Sequence, residues 1–229
     1  MKSFILRVKA YLGKLRRRLL FHEVGGVRQQ IRGRGNSLHA VGVKCTNVSL
    51  DIVGNDNQIR IGEGSALYNV TFRIRGNGHR IEIGKNCRMS RGGSIWFEDH
   101  DGVLQIGQNT TMVEVAIAVT EPGSKVIVGE ECMFANDIDI RTGDSHSIID
   151  ATTGERQNFA EDVMIGNHVW IASHVIILKG VTIGDHSIVA TGSVVTKSCV
   201  AGVIVAGNPA RVIKTGVSWK RERLSKGEK

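Results

Sequence analysis

The side chains in this 229-residue chain best suited to proton transfer, nucleophilic attack or metal binding are eight histidines and four cysteines. Cys45, Cys87, Cys132 and Cys199 lie far apart, without the close pairs that bind zinc, and nothing indicates an oxidising compartment. His168 and His186 are 18 residues apart. Such a pair could mimic a metal site, but no acidic third ligand accompanies it, and no metal is expected. His146 has another setting. It lies at the root of a long polar stretch that runs from Gly143-Asp144-Ser145-His146-Ser147 to Gln157. Polar loops thrown out of a regular scaffold are frequent sites of function.

A six-residue rhythm supplies the scaffold. Aliphatic residues return at Ile165, Ile171, Ile177, Ile183, Val189 and Val195. Four residues after each comes a small or branched one: Val169, Val175, Val181, Ser187, Ser193 and Cys199. A period of six fits neither a helix nor a plain alternating strand. It fits a short strand plus a turn, three to a triangular coil, with coils stacked as parallel strands about 4.8 Å apart. One coil is then 18 residues, the separation of Ile165 and Ile183.

Upstream, Val41-Gly42, Ile61-Gly62, Ile83-Gly84, Ile106-Gly107 and Val128-Gly129 repeat with spacings of 20, 22, 23 and 22. The excess coincides with turn-forming runs such as Gly54-Asn55-Asp56-Asn57 and Gly76-Asn77-Gly78. One corner of each early coil is therefore expected to be widened. The four cysteines each follow a leading aliphatic (Val41, Ile83, Val128, Val195) by four residues, and are expected to point inward as buried thiols. His168, His174 and His186 fall three residues after such aliphatics and are expected to face solvent or a neighbouring subunit, with His168 and His186 stacked a coil apart. From Ile140 to Ile165 the rhythm breaks by 19 residues, which predicts a loop over about 143–162.

Hydrophobic residues make up 41% of the chain, with 28 Gly and 2 Pro, which excludes disordered and collagen-like classes. There is no apolar run of about 18 residues to cross a membrane. The net charge of +8 divides into +7 over residues 2–18, +4 over 214–229 and −3 between. A nucleic-acid-binding domain should carry its basic patch on the folded body, so no nucleic acid is expected. Residues 1–22 read as a basic amphipathic helix, with Phe4, Val8, Leu12, Leu15 and Leu19 on one side. That helix either packs on protein or makes peripheral contact with an anionic membrane through residues 1–20. Charge interrupts every apolar segment a signal peptide would need. The expected organisation is this helix, a β-helix domain over 23–213, and a basic tail over 214–229.

Several stretches carry a family resemblance: Asp144-Ser145-His146-Ser147, Val169-Trp170-Ile171-Ala172, Ile183-Gly184-Asp185, Gly192-Ser193-Val194-Val195-Thr196-Lys197, and Ala206-Gly207-Asn208-Pro209-Ala210-Arg211-Val212-Ile213. With the six-residue repeats, they resemble the left-handed β-helix, hexapeptide-repeat acyltransferases. The nearest branch holds the galactoside, maltose and nodulation acetyltransferases and the O-acetyltransferases of capsule and lipopolysaccharide sugars. The strong match covers about residues 125–214; upstream only the rhythm agrees.

The resemblance implies an all-β, left-handed parallel β-helix, a homotrimer with active sites between subunits, and transfer of acetyl from acetyl-CoA to a saccharide. It places the catalytic histidine at His146. A sugar hydroxyl is a poor nucleophile at neutral pH, and a neutral imidazole can take its proton as it attacks the thioester. The developing oxyanion needs a donor, often a backbone N–H. Asp137, Asp139 and Asp144 are candidates to orient the imidazole, and Asn136 or Asp137 could touch the acceptor. Trp170 matches a tryptophan that lies beside the histidine in related polysaccharide enzymes; packing in a trimer is its other role. Ala172, Ala190 and Gly192 match positions along the pantetheine arm, and Lys197, Arg211 and Lys214 are cations for the CoA phosphates. O-acetylation of a cell-envelope saccharide or its precursor is the leading expectation, in the cytoplasm or at the inner face of its membrane. N-acetylation of an amino sugar and a non-catalytic β-helix scaffold are the rivals.

Overall fold

The computed structural model describes residues 25–227. The expected amphipathic helix at 1–22 lies outside them. The described residues form strands and turns with no helix, wound into a three-sided left-handed β-solenoid. The first face stacks Ser37–His39, Gln58–Ile61, Arg80–Ile83, Val103–Ile106, Lys125–Val128, Val163–Ile165 and Thr182–Ile183. The second stacks Lys44–Thr46, Ala66–Tyr68, the starts of Arg88–Phe97 and Thr111–Val119, then Met133–Phe134, Trp170–Ile171, Ile188–Val189 and Val203–Gly207. The third stacks Val27–Arg32, Val48–Val53, Val70–Arg75, the ends of those two long strands, then Ile138–Arg141, Ile176–Ile177 and Val194–Val195.

Every pairing between coils is parallel until the last strand, Ala210–Thr215, which folds back antiparallel on Val203–Gly207. The Gly-Asn-Pro-Ala run forms the turn of this terminal hairpin. Alternation along each strand sends one side chain in and the next out, so the inward aliphatics stack in columns. Ile165, Ile171, Ile177, Ile183, Val189 and Val195 are all at most 3% exposed, as the six-residue rhythm requires. The partner of Val128 on the next coil is Ile165, 37 residues on, and that of Ile165 is Ile183, 18 on. The difference is the 19-residue insertion.

Two details depart from expectation. In the first coil Leu38 pairs with Ile59, which sets Ala40, not Val41, opposite Ile61. Ala40 is buried and Val41 is 57% exposed. Among the cysteines, Cys87 and Cys132 are buried, whereas Cys45 and Cys199 are half-buried. Cys45 pairs with Leu67 rather than standing in register with Cys87, and Cys199 bridges to Ile183 on the first face.

Buried polar side chains stitch the corners between coils. Where the first face turns into the second, Ser65, Cys87, Thr110 and Cys132 each reach a glycine carbonyl of the following coil, at 2.9 to 3.1 Å. Cysteine here replaces a serine hydroxyl, and burial raises the Cys132 thiol to about 11. At the widened corner between third and first faces, Asn36, Asn57 and His79 form a second ladder. His79 is fully buried. Its Nδ1 accepts the Gly102 N–H at 3.1 Å and its Nε2 donates to the Arg75 carbonyl at 3.3 Å. Gly54, at φ +146°, lets the chain cross here; a Cβ would stand 1.7 Å from the Gly76 carbonyl oxygen.

Candidate active site

The long loop leaves after Arg141 and returns at Val163, at the same corner that is widened in every earlier coil. Its tip is a small hairpin in which Ile149 bridges Arg156, and Asp150 accepts the N–H groups of Thr152 and Thr153 at 2.8 and 2.9 Å. Those two bonds hold the exposed Asp150 carboxyl below its ordinary range.

His146 is exposed near the root. Its position is set through the backbone. Asn158, buried, donates from Nδ2 to the His146 carbonyl at 2.7 Å and to Asp144 Oδ2 at 2.8 Å. Its Oδ1 accepts the Ile148 N–H at 2.7 Å and Arg156 Nε at 3.3 Å. Lys179, on the corner of the following coil, pairs with Asp144 and donates to the Asn158 carbonyl. Lys179, then Asn158, hold the Asp144 carboxyl below its ordinary range. Arg156 pairs with Glu121 on the preceding coil. The loop is thus pinned to the coils on both sides of it. Neither Asn158 nor Lys179 stood out in the sequence. Lys179 was within reach of the register, since it follows Ile177 by two residues and so falls on the corner beneath the insertion.

The other candidates are dispersed. Asp139 is engaged by Arg141 through Nε at 2.8 Å and Nη2 at 2.6 Å. Asp137 Oδ2 accepts His174 Nδ1 at 2.7 Å at the corner between second and third faces, beside Asn136, whose Oδ1 accepts Ser173 Oγ at 2.9 Å. His174 is therefore an exposed imidazole backed by a carboxylate. Trp170 projects from the second face, half-buried. That face lies opposite the corner from which the His146 loop springs, so one protomer does not bring the two together.

Ala172, Ala190 and Gly192 already donate their N–H groups to Val189, Val205 and Ser173. What they offer a ligand is a low surface for close approach. Lys197, Arg211 and Lys214 are exposed and, among the described residues, pair with no carboxylate; Arg211 donates to the Ala210 carbonyl.

The basic tail contains a contact the sequence did not reveal. It runs back over the coils, and Trp219 stacks on His168 with centroids 4.3 Å apart and an 11° interplanar angle. Its Nε1 donates to the His168 carbonyl at 2.7 Å, while His168 Nε2 donates to the Trp219 carbonyl at 2.9 Å. Arg221 reaches Thr111 Oγ1 at 2.9 Å and the Cys132 carbonyl at 3.0 Å. His168 and His186 do lie a coil apart, 5.3 Å between centroids, but His168 is covered by tryptophan rather than solvated.

Residues 162–197 match the family model described as bacterial transferase hexapeptide (six repeats). The chain is 34% identical over 150 residues to polysialic acid O-acetyltransferase of Neisseria meningitidis, covering 65% of this chain and 68% of that protein. It is 52% identical over 61 residues to galactoside O-acetyltransferase of Escherichia coli K12, a match spanning 27% of this chain and 29% of the relative. The solved structure of the polysialic acid O-acetyltransferase OatWY superposes with a TM-score of 0.80 at 30% identity, covering 86% of this chain and 93% of that one. On these grounds the chain belongs to the left-handed β-helix, hexapeptide-repeat acyltransferases.

Proposed function

We propose that this protein is an acetyl-CoA-dependent O-acetyltransferase that modifies a hydroxyl of a capsule or lipopolysaccharide saccharide by direct transfer, with His146 as general base. The observation that carries the reading is an exposed imidazole held by its backbone on a loop braced through Asn158, Lys179 and Arg156. The relative and the solved structure named as polysialic acid O-acetyltransferase support a polysaccharide acceptor. Acetyl-CoA supplies the acetyl group as a thioester. His146 takes the proton of the acceptor hydroxyl as its oxygen attacks the carbonyl carbon. The C–S bond breaks, and the proton is returned to the departing sulfur. Lys197, Arg211 and Lys214 would hold the phosphates.

A site that uses both His146 and Trp170 is assembled between copies, in a homotrimer. The loop supports this, because Ile148, Ile149 and Phe159 lie on it with 57 to 59% of their surface exposed. Among the described residues no helix is long and apolar enough to cross a membrane; contact with a membrane surface is left to residues 1–20.

The test is release of free CoA thiol with a panel of saccharides. His146→Ala is expected to lower kcat by roughly 10²- to 10⁴-fold. Unchanged turnover would remove His146 from the role. If His174→Ala alone abolishes turnover, the base is instead the imidazole backed by Asp137.

A further inference from the structure

We propose that the first-coil end of the solenoid docks on an anionic phospholipid bilayer, so that the stack of coils rises from the membrane and carries the His146 loop above it. Stacking turns order along the chain into position along the axis, so charge counted along the sequence is charge counted along the molecule. The first three coils, residues 25–92, hold 11 Lys and Arg against 4 Asp and Glu, a net +7. Residues 93–213 hold 6 against 15, a net −9. Residues 2–18, which lead toward the first coil, add a further +7. The body is therefore positive at its first-coil end and acidic beyond, and an anionic surface attracts that end and repels the rest.

The same end exposes the core. Val27, Ile31 and Cys45 point inward but are only half-buried, whereas Val48, Ile52 and Leu67, their partners on the next coil, are at most 3% exposed. Val41 beside them is 57% exposed. Gln29 takes the inward place that Leu50 holds one coil on; a polar side chain at the head of an aliphatic column suits a headgroup layer better than a dry cap. Around this floor stand Arg28 and Arg32 on the third face, Arg34 at the widened corner and Lys44 on the second face, all exposed. No Asp or Glu occurs between Gly25 and Leu50, and the Arg and Lys ion pairs among the described residues lie on later coils. A bilayer satisfies both features, its phosphates meeting the cations and its acyl boundary the apolar floor. A nucleic acid would use the ring and leave the floor in water, and covering the floor with residues 2–18 would set their +7 against the ring. Docking thus does not rest on residues 1–20 alone. Five strand steps separate Val27–Arg32 from Ile138–Arg141, where the His146 loop departs, a height of roughly 24 Å at about 4.8 Å per step. On the saccharide reading above, on which this last point rests, that is the height of a sugar chain tethered to lipid.

The test is sedimentation of the full chain with phosphatidylcholine vesicles, with and without phosphatidylglycerol, in the absence of substrate. Wild type and His146→Ala should bind the anionic vesicles equally, more weakly as salt rises, so that docking and chemistry are read apart. Each cation near an anionic bilayer strengthens binding about fivefold. Arg28→Gln/Arg32→Gln/Arg34→Gln should therefore bind at least tenfold more weakly at unchanged melting temperature and oligomeric mass. Lys220→Gln/Arg223→Gln/Lys226→Gln, which removes the same charge from the tail, should bind within about threefold of wild type. In the wild-type protein, anionic vesicles should slow amide exchange over residues 26–47 and leave 198–218 unchanged. The proposal is overturned if neutral vesicles bind equally, if the tail variant loses as much as the first-coil variant, or if the first-coil variant binds as wild type does. Unchanged exchange over 26–47 would overturn it by leaving the contact to residues 1–24, and displacement from vesicles by duplex DNA would overturn it by making the ring a nucleic-acid site.

Discussion

Replacing Asn158 by alanine should uncouple the His146 loop from the solenoid without unfolding it. The side chain makes four hydrogen bonds, two from Nδ2 and two to Oδ1. Water can reach the loop once it loosens, so each bond is worth about 0.5 to 1.5 kcal/mol net rather than its full strength. Together they favour the ordered loop by roughly 2 to 6 kcal/mol. At about 1.4 kcal/mol per tenfold, that is roughly 30- to 20,000-fold in the ratio of ordered to open loop. Asn158→Ala should therefore lower kcat by at least about tenfold, and amide exchange over residues 144–160 should accelerate. The melting temperature should move little, because the coil ladders above and below do not pass through Asn158. Asn158→Asp keeps both acceptor bonds, loses both donor bonds and sets a second carboxylate against Asp144, so it should be no better than alanine. Turnover within twofold of wild type in both variants would refute the bracing role. A collapse in melting temperature with normal exchange protection of the loop would refute it too.

Three further outcomes follow from the corners. Burial lowers the pKa of His79, and both ring nitrogens are committed to backbone partners. The unfolded chain binds the proton near pH 6.5 and the folded one does not, so stability should fall below that pH by up to about 1.4 kcal/mol per unit. His79→Asn, which extends the ladder of Asn36 and Asn57, should flatten that loss in chemical denaturation series. Gly54→Ala forces a Cβ into the next coil's backbone at a positive φ and should cost about 3 kcal/mol, read as a lower melting temperature. Alkylation of the native protein should label Cys45 and Cys199 well before Cys87 and Cys132, which are buried; equal rates would contradict the ladder.

The solenoid was legible because inward positions repeat and outward ones do not. From Ile165 to Val195 two side chains in six face inward, the leading aliphatic and the small or branched residue four later, and that survives in the sequence. Val41 misled because a valine before glycine imitates an anchor, while the true inward residue, Ala40, carries almost no hydrophobic signal. Cys199 fell out of register because the last coil is shortened before the hairpin, and no periodicity announces a shortened coil. The insertion was visible as a gap in the count. Its bracing was not, since Asn158 and Lys179 meet through folding of an aperiodic segment. The tail was opaque for a similar reason: Trp219 and His168 are 51 residues apart, and a lone tryptophan in a basic stretch gives no hint of its partner. The expected carboxylate partner of an imidazole does occur, but Asp137 holds His174 rather than His146.

A stack of coils resembles a one-dimensional lattice, in which each layer touches only its neighbours and the ends can fray independently. The returning tail breaks that rule. By linking the terminal hairpin to His168, Thr111 and Cys132, it ties the last layers to ones several steps away. Fraying from that end then requires the strap to detach first, so the late coils open together rather than one by one. A chain truncated before Trp219 would keep every rung of its ladders and still lose this cooperativity, melting from the hairpin inward in a broadened transition.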